Sequence, residues 1–152
     1  MLNNFYQLQQ LSDLSTYRAG IIEAAAHRNT QKICDSVLAE FGLSTMQWLL
    51  IGLIYDHGAT PPRLTDLAKQ LGTGLPYLTT TLNLLQSKNI IARTQNKNDS
   101  RSNTIIIDED FITEIPVIEA KLRASLRETI YSQVSPRDFQ TYIKVMLQLS
   151  TT

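Results

Sequence analysis

Apolar positions in this chain recur mainly at intervals of three and four. Phe5, Leu8, Leu11, Leu14, Ile21, Ile22 and Ala25 form a helical stripe that runs on through Ile33, Val37 and Leu38 to Phe41. The spacing predicts an unusually long helix, stopped by Gly42. Ser44-Thr45-Met46-Gln47 then has the Ser-x-x-Gln form in which the two end residues satisfy each other's free backbone donors, so a new helix starts there. It carries Trp48, Leu49, Ile51, Leu53 and Ile54 as far as Gly58, and Pro61-Pro62 bars further helix before Leu64.

Leu64, Leu67, Ala68 and Leu71 fall at helical spacing, Gly72-Thr73-Gly74 supplies a turn, and Leu75, Leu78, Leu82 and Leu85 open a second stripe. After Asn89 the period becomes strand-like in Ile90–Thr94. A polar loop from Gln95 to Asn103 follows, then the β-branched run Thr104–Ile107. Helix, turn, helix and charged hairpin in this order are those of a winged helix-turn-helix, a DNA-binding arrangement.

Beyond the hairpin, Asp108-Glu109-Asp110 stands where acidic residues favour a helix start, and Phe111, Ile115, Ile118, Leu122, Leu126, Ile130 and Val134 continue at helical spacing. Pro116 implies that this helix either begins near Ile115 or kinks. Ser135-Pro136-Arg137-Asp138 restarts the chain with Ser135 as cap, and the last helix carries Phe139, Tyr142, Ile143, Met146, Leu147 and Leu149. The expected class is mainly α with a small β-hairpin. The terminal stripes are richer than one small winged domain covers, which favours a two-fold pair of chains over an intramolecular bundle.

Composition adds limits. With 152 residues and 43% hydrophobic content the chain can bury a core, and one domain spanning 1–152 is expected. It has no apolar run of the roughly 20 residues that cross a bilayer, and Met1-Leu2-Asn3-Asn4 lacks the blocks of a secretion signal, so a cytoplasmic location is expected. Cys34, the single cysteine, forms no internal disulfide. The formal net charge of zero conceals an asymmetry: between residues 61 and 107 six basic residues face two acidic ones, a net +4, and the remainder is −4. A basic patch on an acidic body suits phosphate docking.

Phe41-Gly42-Leu43-Ser44 with Gln47-Trp48-Leu49-Leu50, the run Leu64-Thr65-Asp66-Leu67-Ala68-Lys69-Gln70-Leu71-Gly72, the Asp99-Ser100-Arg101 wing motif and the closing Val134-Ser135-Pro136 together resemble the MarR family of transcription regulators. The resemblance spans nearly the whole chain. It implies a homodimer joined through its first and last helices (1–41 and 110–150), with residues 44–108 as the winged helix-turn-helix. It further implies pseudo-palindromic DNA as partner, and commonly repression relieved by a small ligand.

The same resemblance assigns the helix from Pro76 to Lys88 to the major groove and Arg101 to the adjacent minor groove. A helix fits the first, and the negative potential of a narrow A·T-rich minor groove favours an inserted arginine. The expected DNA-binding residues are Pro76, Tyr77, Thr79, Thr80 and Asn83 on the helix and Lys97, Ser100, Arg101 and Asn103 on the wing. Asp99 orients Arg101 or simply forms the turn. Unlike many relatives, this recognition helix offers Leu75, Pro76, Tyr77, Thr79, Thr80, Thr81 and Asn83 with no cation before Lys88, so an A·T-leaning operator is expected. Asn89 replaces a helix-ending glycine, tolerably, because asparagine accepts the left-handed conformation.

Other chemistry is weakly represented. Cys34 reads as a packed small hydrophobe rather than a peroxide sensor. His27 and His57 lack partners at metal spacing, no cofactor is implied, and no nucleophile-base pair marks an enzyme. Tyr17, Trp48 and Tyr55 are core or interface aromatics, or line a cavity for a small aromatic effector, as the resemblance implies. The competing function is a winged-helix protein-interaction module without DNA binding.

Overall fold

The computed structural model describes residues 14–58, 60, 62–96 and 99–151, and of residues 94–96 and 99–104 the backbone alone. Phe5, Leu8, Leu11, Pro61 and Lys97 therefore lie outside the described residues. Among the described residues, six α-helices and one hairpin follow in the order α1 (Thr16–Ala39), α2 (Thr45–His57), α3 (Leu64–Gln70), α4 (Leu75–Ser87), β1 (Ile91–Asn96), β2 (Asp99–Ile107), α5 (Glu109–Thr129) and α6 (Pro136–Ser150). This is a mainly helical winged fold.

Three helices end the same way. After α1, Gly42 N–H donates to the Ala39 carbonyl and Leu43 N–H to the Leu38 carbonyl, with Gly42 at φ 66°. Gly72 with Thr73 repeats the pattern after α3, and Asn89 with Ile90 after α4, at φ 60° and 58°. Each left-handed residue lets the chain double back and satisfy carbonyls that have no partner further along the helix. Helix starts are equally local. Ser44 Oγ accepts from Gln47 N–H at 3.2 Å while Gln47 Oε1 accepts from Ser44 N–H at 3.1 Å. Asp108 accepts from Asp110 N–H, and Ser135 from Asp138 N–H.

The core gathers Leu38 of α1, Leu50 and Ile51 of α2, Leu67 of α3, Leu78, Leu82 and Leu85 of α4 and Ile118 of α5, all fully buried. Helix α1 packs along α5, and α5 also brings Ile115 and Leu122 to the core. The hairpin is antiparallel, pairing Ile91 with Ile107 and Arg93 with Ile105. Its base alternates: Ile105 and Ile107 are buried and Ile106 is exposed, the period of a strand with one face covered. Asp108 N–H donates to the Ile90 carbonyl and closes that base.

Two expectations change, and the open choice at Pro116 falls to a helix that contains it. The loop from Gln95 to Asn103 is mostly strand, since ladder bonds use backbone and polar side chains do not interrupt them. Pro116 sits inside α5, which begins at Glu109; the capped acidic start and the buried Ile115 and Ile118 hold the helix on both sides of it. And α5 stops at Thr129 rather than reaching Val134. A 3-10 turn, Tyr131–Gln133, follows, and the Tyr131 ring meets that of Phe139 at 4.6 Å, which turns the chain into α6.

Helix α6 has no buried residue and leaves Tyr142, Ile143, Val145, Met146, Leu147 and Leu149 uncovered. At the other end of the chain, Tyr17 and Ile21 of α1 are uncovered too.

Candidate nucleic-acid interface

Helix α4 is divided cleanly between two faces. Leu78, Thr81, Leu82 and Leu85 are buried against the core, and Pro76, Thr79, Thr80, Asn83 and Ser87 fall on the opposite side at spacings of three and four. Tyr77, 54% exposed, and Leu84 flank that outer row. The five α4 residues expected from the sequence are therefore all exposed. Thr81 is not among them: at 5% exposure it belongs to the inner face, because it lies one turn after Leu78 and one before Leu85 on the side that meets the core. Ser87 continues the outer row and was missed; its four-residue step from Asn83 is the signal that finds it.

The hydroxyls of α4 point back along the helix. Thr79 Oγ donates to the Leu75 carbonyl at 2.9 Å, Thr80 Oγ to Pro76 at 3.1 Å, Thr81 Oγ to Tyr77 at 3.0 Å and Ser87 Oγ to Leu84 at 2.8 Å. The single cation at the helix end is engaged as well. Lys88 Nζ donates to the Gly42 carbonyl and, at 3.1 Å, to Gln47 Oε1, so it ties α4 to the α1–α2 corner. Counting Lys88 toward a phosphate-facing patch overstates that patch. Arg93 of β1 is half-buried, with Nε and Nη2 shielded from water and without a hydrogen-bond partner.

The wing residues Asp99, Ser100, Arg101 and Asn103 all lie on β2. Gln95 pairs with Asn103 and the next residue, Asn96, with Asp99, so Ser100, Arg101 and Ser102 form an extra segment between two paired positions. Arg101 is the middle residue of that irregularity, near the turn of the hairpin. Lys97 lies outside the described residues.

Between α2, α3 and α5 opens a cavity of about 1140 Å³. Trp48 and Tyr55 line it, with Leu49, Lys69, Ile115 and Arg123. Arg123 donates to Glu119 Oε1 through Nη2 at 2.8 Å and Nε at 3.1 Å, a pair on one face of α5. Tyr17 is not brought to this cavity. It stands on α1, 66% exposed, with its phenol pKa lowered by the neighbouring Ser15 hydroxyl first and then by the charge of Arg18.

Cys34 is half-buried against the core, and burial raises its thiol pKa, with Asp35 adding to the effect. Tyr131 is raised too, by burial first and then by Tyr142 and Cys34. His57 Nδ1 lies 2.7 Å from the Leu53 carbonyl at the end of α2, and His27 is exposed on α1. None of the described helices is long and apolar enough to cross a membrane.

Residues 43–102 match the model of the MarR family. No curated protein matches the chain by sequence. Among solved structures, AbsC, a MarR family transcriptional regulator from Streptomyces coelicolor, superposes with a TM-score of 0.77 at 16% identity, covering 91% of this chain and 95% of that one. MepR from S. aureus, crystallised as a DNA complex, gives 0.73 at 22% identity, covering 91% and 100%. CouR from Rhodococcus jostii RHA1, bound to p-coumaroyl-CoA, gives 0.73 at 17% identity, covering 92% and 93%. At these identities the likeness is one of fold.

Proposed function

We propose that this chain, whose residues 43–102 match the MarR family model, is a dimeric, sequence-specific DNA-binding transcription regulator of that family. The observation that carries the reading is the uncovered outer row of α4, Pro76, Thr79, Thr80 and Asn83, on a helix whose other face is fully anchored in the core. A rigid helix with a free polar and apolar face, beside a hairpin that holds Arg101 near its turn, suits major-groove reading with a minor-groove clasp. Lys97, Ser100, Arg101 and Asn103 form the wing contacts of this reading, and Asp99 steadies Arg101.

A second copy completes the molecule. The apolar side of α6 and the uncovered Tyr17 and Ile21 of α1 supply the self-complementary surface of a two-fold dimer, with residues 1–41 and 110–150 as its dimerisation helices. Two recognition helices then address a pseudo-palindromic, A·T-leaning operator. The cavity walled by Trp48 and Tyr55 supports a small aromatic effector that relieves repression, since it lies where α5 meets the winged region and its occupation would alter their packing.

One observation favours a different reading, a winged-helix module that binds protein instead of DNA: the lysine at the end of α4 is engaged within the fold. Fluorescence anisotropy with genomic duplex fragments over a range of salt separates the two. The DNA-binding reading expects binding whose logarithm falls linearly with the logarithm of salt concentration. It also expects Arg101→Ala to weaken binding and to lower that slope by about one for each arm lost. Equal binding by Arg101→Ala at fixed low salt would remove the wing from the interface; salt-independent or absent binding would favour the protein-interaction module.

A further inference from the structure

The hydroxyl of a threonine has one proton to give. In α4 the protons of Thr79 and Thr80 are directed into the helix, at the carbonyls of Leu75 and Pro76, although both side chains are exposed. This back-bonding is a familiar alternative for threonine in a helix, and it leaves the γ-methyl as the free branch of each side chain. The exposed positions one turn before them, Leu75, Pro76 and the ring of Tyr77, are largely apolar as well, and Asn83 is the first amide one turn further on.

From this we infer that α4 recognises the C5-methyl groups of pyrimidines in the major groove, and that Thr79 and Thr80 are the residues that discriminate by that methyl. The inference rests on the DNA-binding reading given above. The major groove offers one apolar feature, the methyl of thymine; guanine offers two acceptors, which need a donor. Hydroxyls already donating inward present no proton to guanine. They keep a lone pair, which accepts from the amino group of adenine or of cytosine. Thr79 and Thr80 thus present methyls and acceptors but no donor of their own, and so select a pyrimidine for its methyl. Thymine meets that demand, and 5-methylcytosine meets it equally, with its amino group facing an acceptor.

The test needs no knowledge of the natural operator. Duplexes enriched from a random pool by the wild-type protein are resynthesised with deoxyuridine in place of thymidine, which removes the methyl and keeps every hydrogen-bonding group. Binding is expected to weaken about fourfold for each contacted methyl, and so about fifteenfold for a symmetric site with one such contact per half. Replacing the sensitive T·A pairs by 5-methylcytosine·G should restore most of the affinity, whereas unmethylated C·G should not.

Two double variants locate the effect. Thr79→Ser with Thr80→Ser keeps the hydroxyls and deletes the methyls, and should bind the thymine and uracil duplexes alike. Thr79→Val with Thr80→Val deletes the hydroxyls and keeps methyls, and should discriminate as the wild type does. Equal binding of thymine and uracil duplexes by the wild-type protein would overturn the inference and leave the DNA-binding reading intact. So would discrimination that survives the serine pair and vanishes in the valine pair. Failure of the wild-type protein to enrich any duplex would overturn both together.

Discussion

The ammonium group of Lys88, at the end of α4, donates to the backbone carbonyl of Gly42, the residue that ends the first helix. It also donates to Gln47 Oε1, which at the same time accepts from Ser44 N–H. Gln47 is 7% exposed, so one nearly buried amide joins the start of α2 to the end of α4. The relation fixes the helix that carries Thr79 and Thr80 against the helix pair behind it. It also uses inside the fold a charge that sequence alone credits to the DNA-facing side.

Lys88→Met should therefore act on stability. Loss of the charged donor leaves the Gly42 carbonyl to water and costs about 1 kcal/mol, read as a lower midpoint in urea. The salt slope of DNA binding should be unchanged. A slope reduced by about one per subunit would show that Lys88 neutralises phosphate instead.

Asn89 holds φ 58° at the end of α4, with its N–H on the Gln86 carbonyl and the next N–H on Leu85. Asn89→Gly should be neutral or stabilise by a few tenths of a kcal/mol, since glycine adopts this conformation freely. Asn89→Val should cost about 1–2 kcal/mol, because a β-branched side chain clashes there. Equal melting of the two variants would contradict the strain argument.

Burial holds the Cys34 thiol in its protonated form, and Asp35 reinforces this. Iodoacetamide should modify it more slowly than free cysteine at neutral pH, with the rate rising only above the ordinary thiol range. The sign for stability follows. With the folded-state pKa raised, the contribution is complete below the unfolded value and is lost as pH climbs through the folded one. DNA binding by Cys34→Ser should respond to peroxide as the wild type does; a peroxide release that disappears in the variant would make Cys34 a sensor.

Met146 lies in the uncovered apolar stripe of α6 with Tyr142, Ile143 and Leu149. Met146→Glu places a charge in the proposed dimer seam, where burial without a partner is costly. Sedimentation is expected to show a shift from paired to single chains at micromolar concentration, with DNA affinity falling in parallel. An unchanged sedimentation coefficient would move the dimer contact away from this face.

Much of the site was legible because the side of a helix is set by spacing. Intervals of three and four among Leu78, Leu82 and Leu85 fix the inner face of α4, and Pro76, Tyr77, Thr79, Thr80 and Asn83 then fall outside it. Thr81 was not legible in the same way, since a threonine between two apolar positions fits either edge of the stripe and only the neighbouring core decides. Trp48 and Tyr55 do share a cavity wall, seven residues apart on one helix, whereas Tyr17 belongs to a separate helix and the fold leaves it elsewhere.

What the sequence determined by itself is the set of features closed within a few residues: the Ser44–Gln47 box, the left-handed stops at Gly42, Gly72 and Asn89, and the caps at Asp108 and Ser135. Their hydrogen bonds form between near neighbours, so residue type and spacing are enough. The tertiary structure alone decided that Lys88 meets Gly42, that Arg93 is half-covered, that the hairpin ladder continues through polar residues, and that α5 gives way to a turn where Tyr131 meets Phe139. The tether and the partial burial depend on which surfaces meet when the helices pack. The ladder depends on a facing backbone, and the turn on a ring that arrives from the next helix; none of these partners is specified by local spacing.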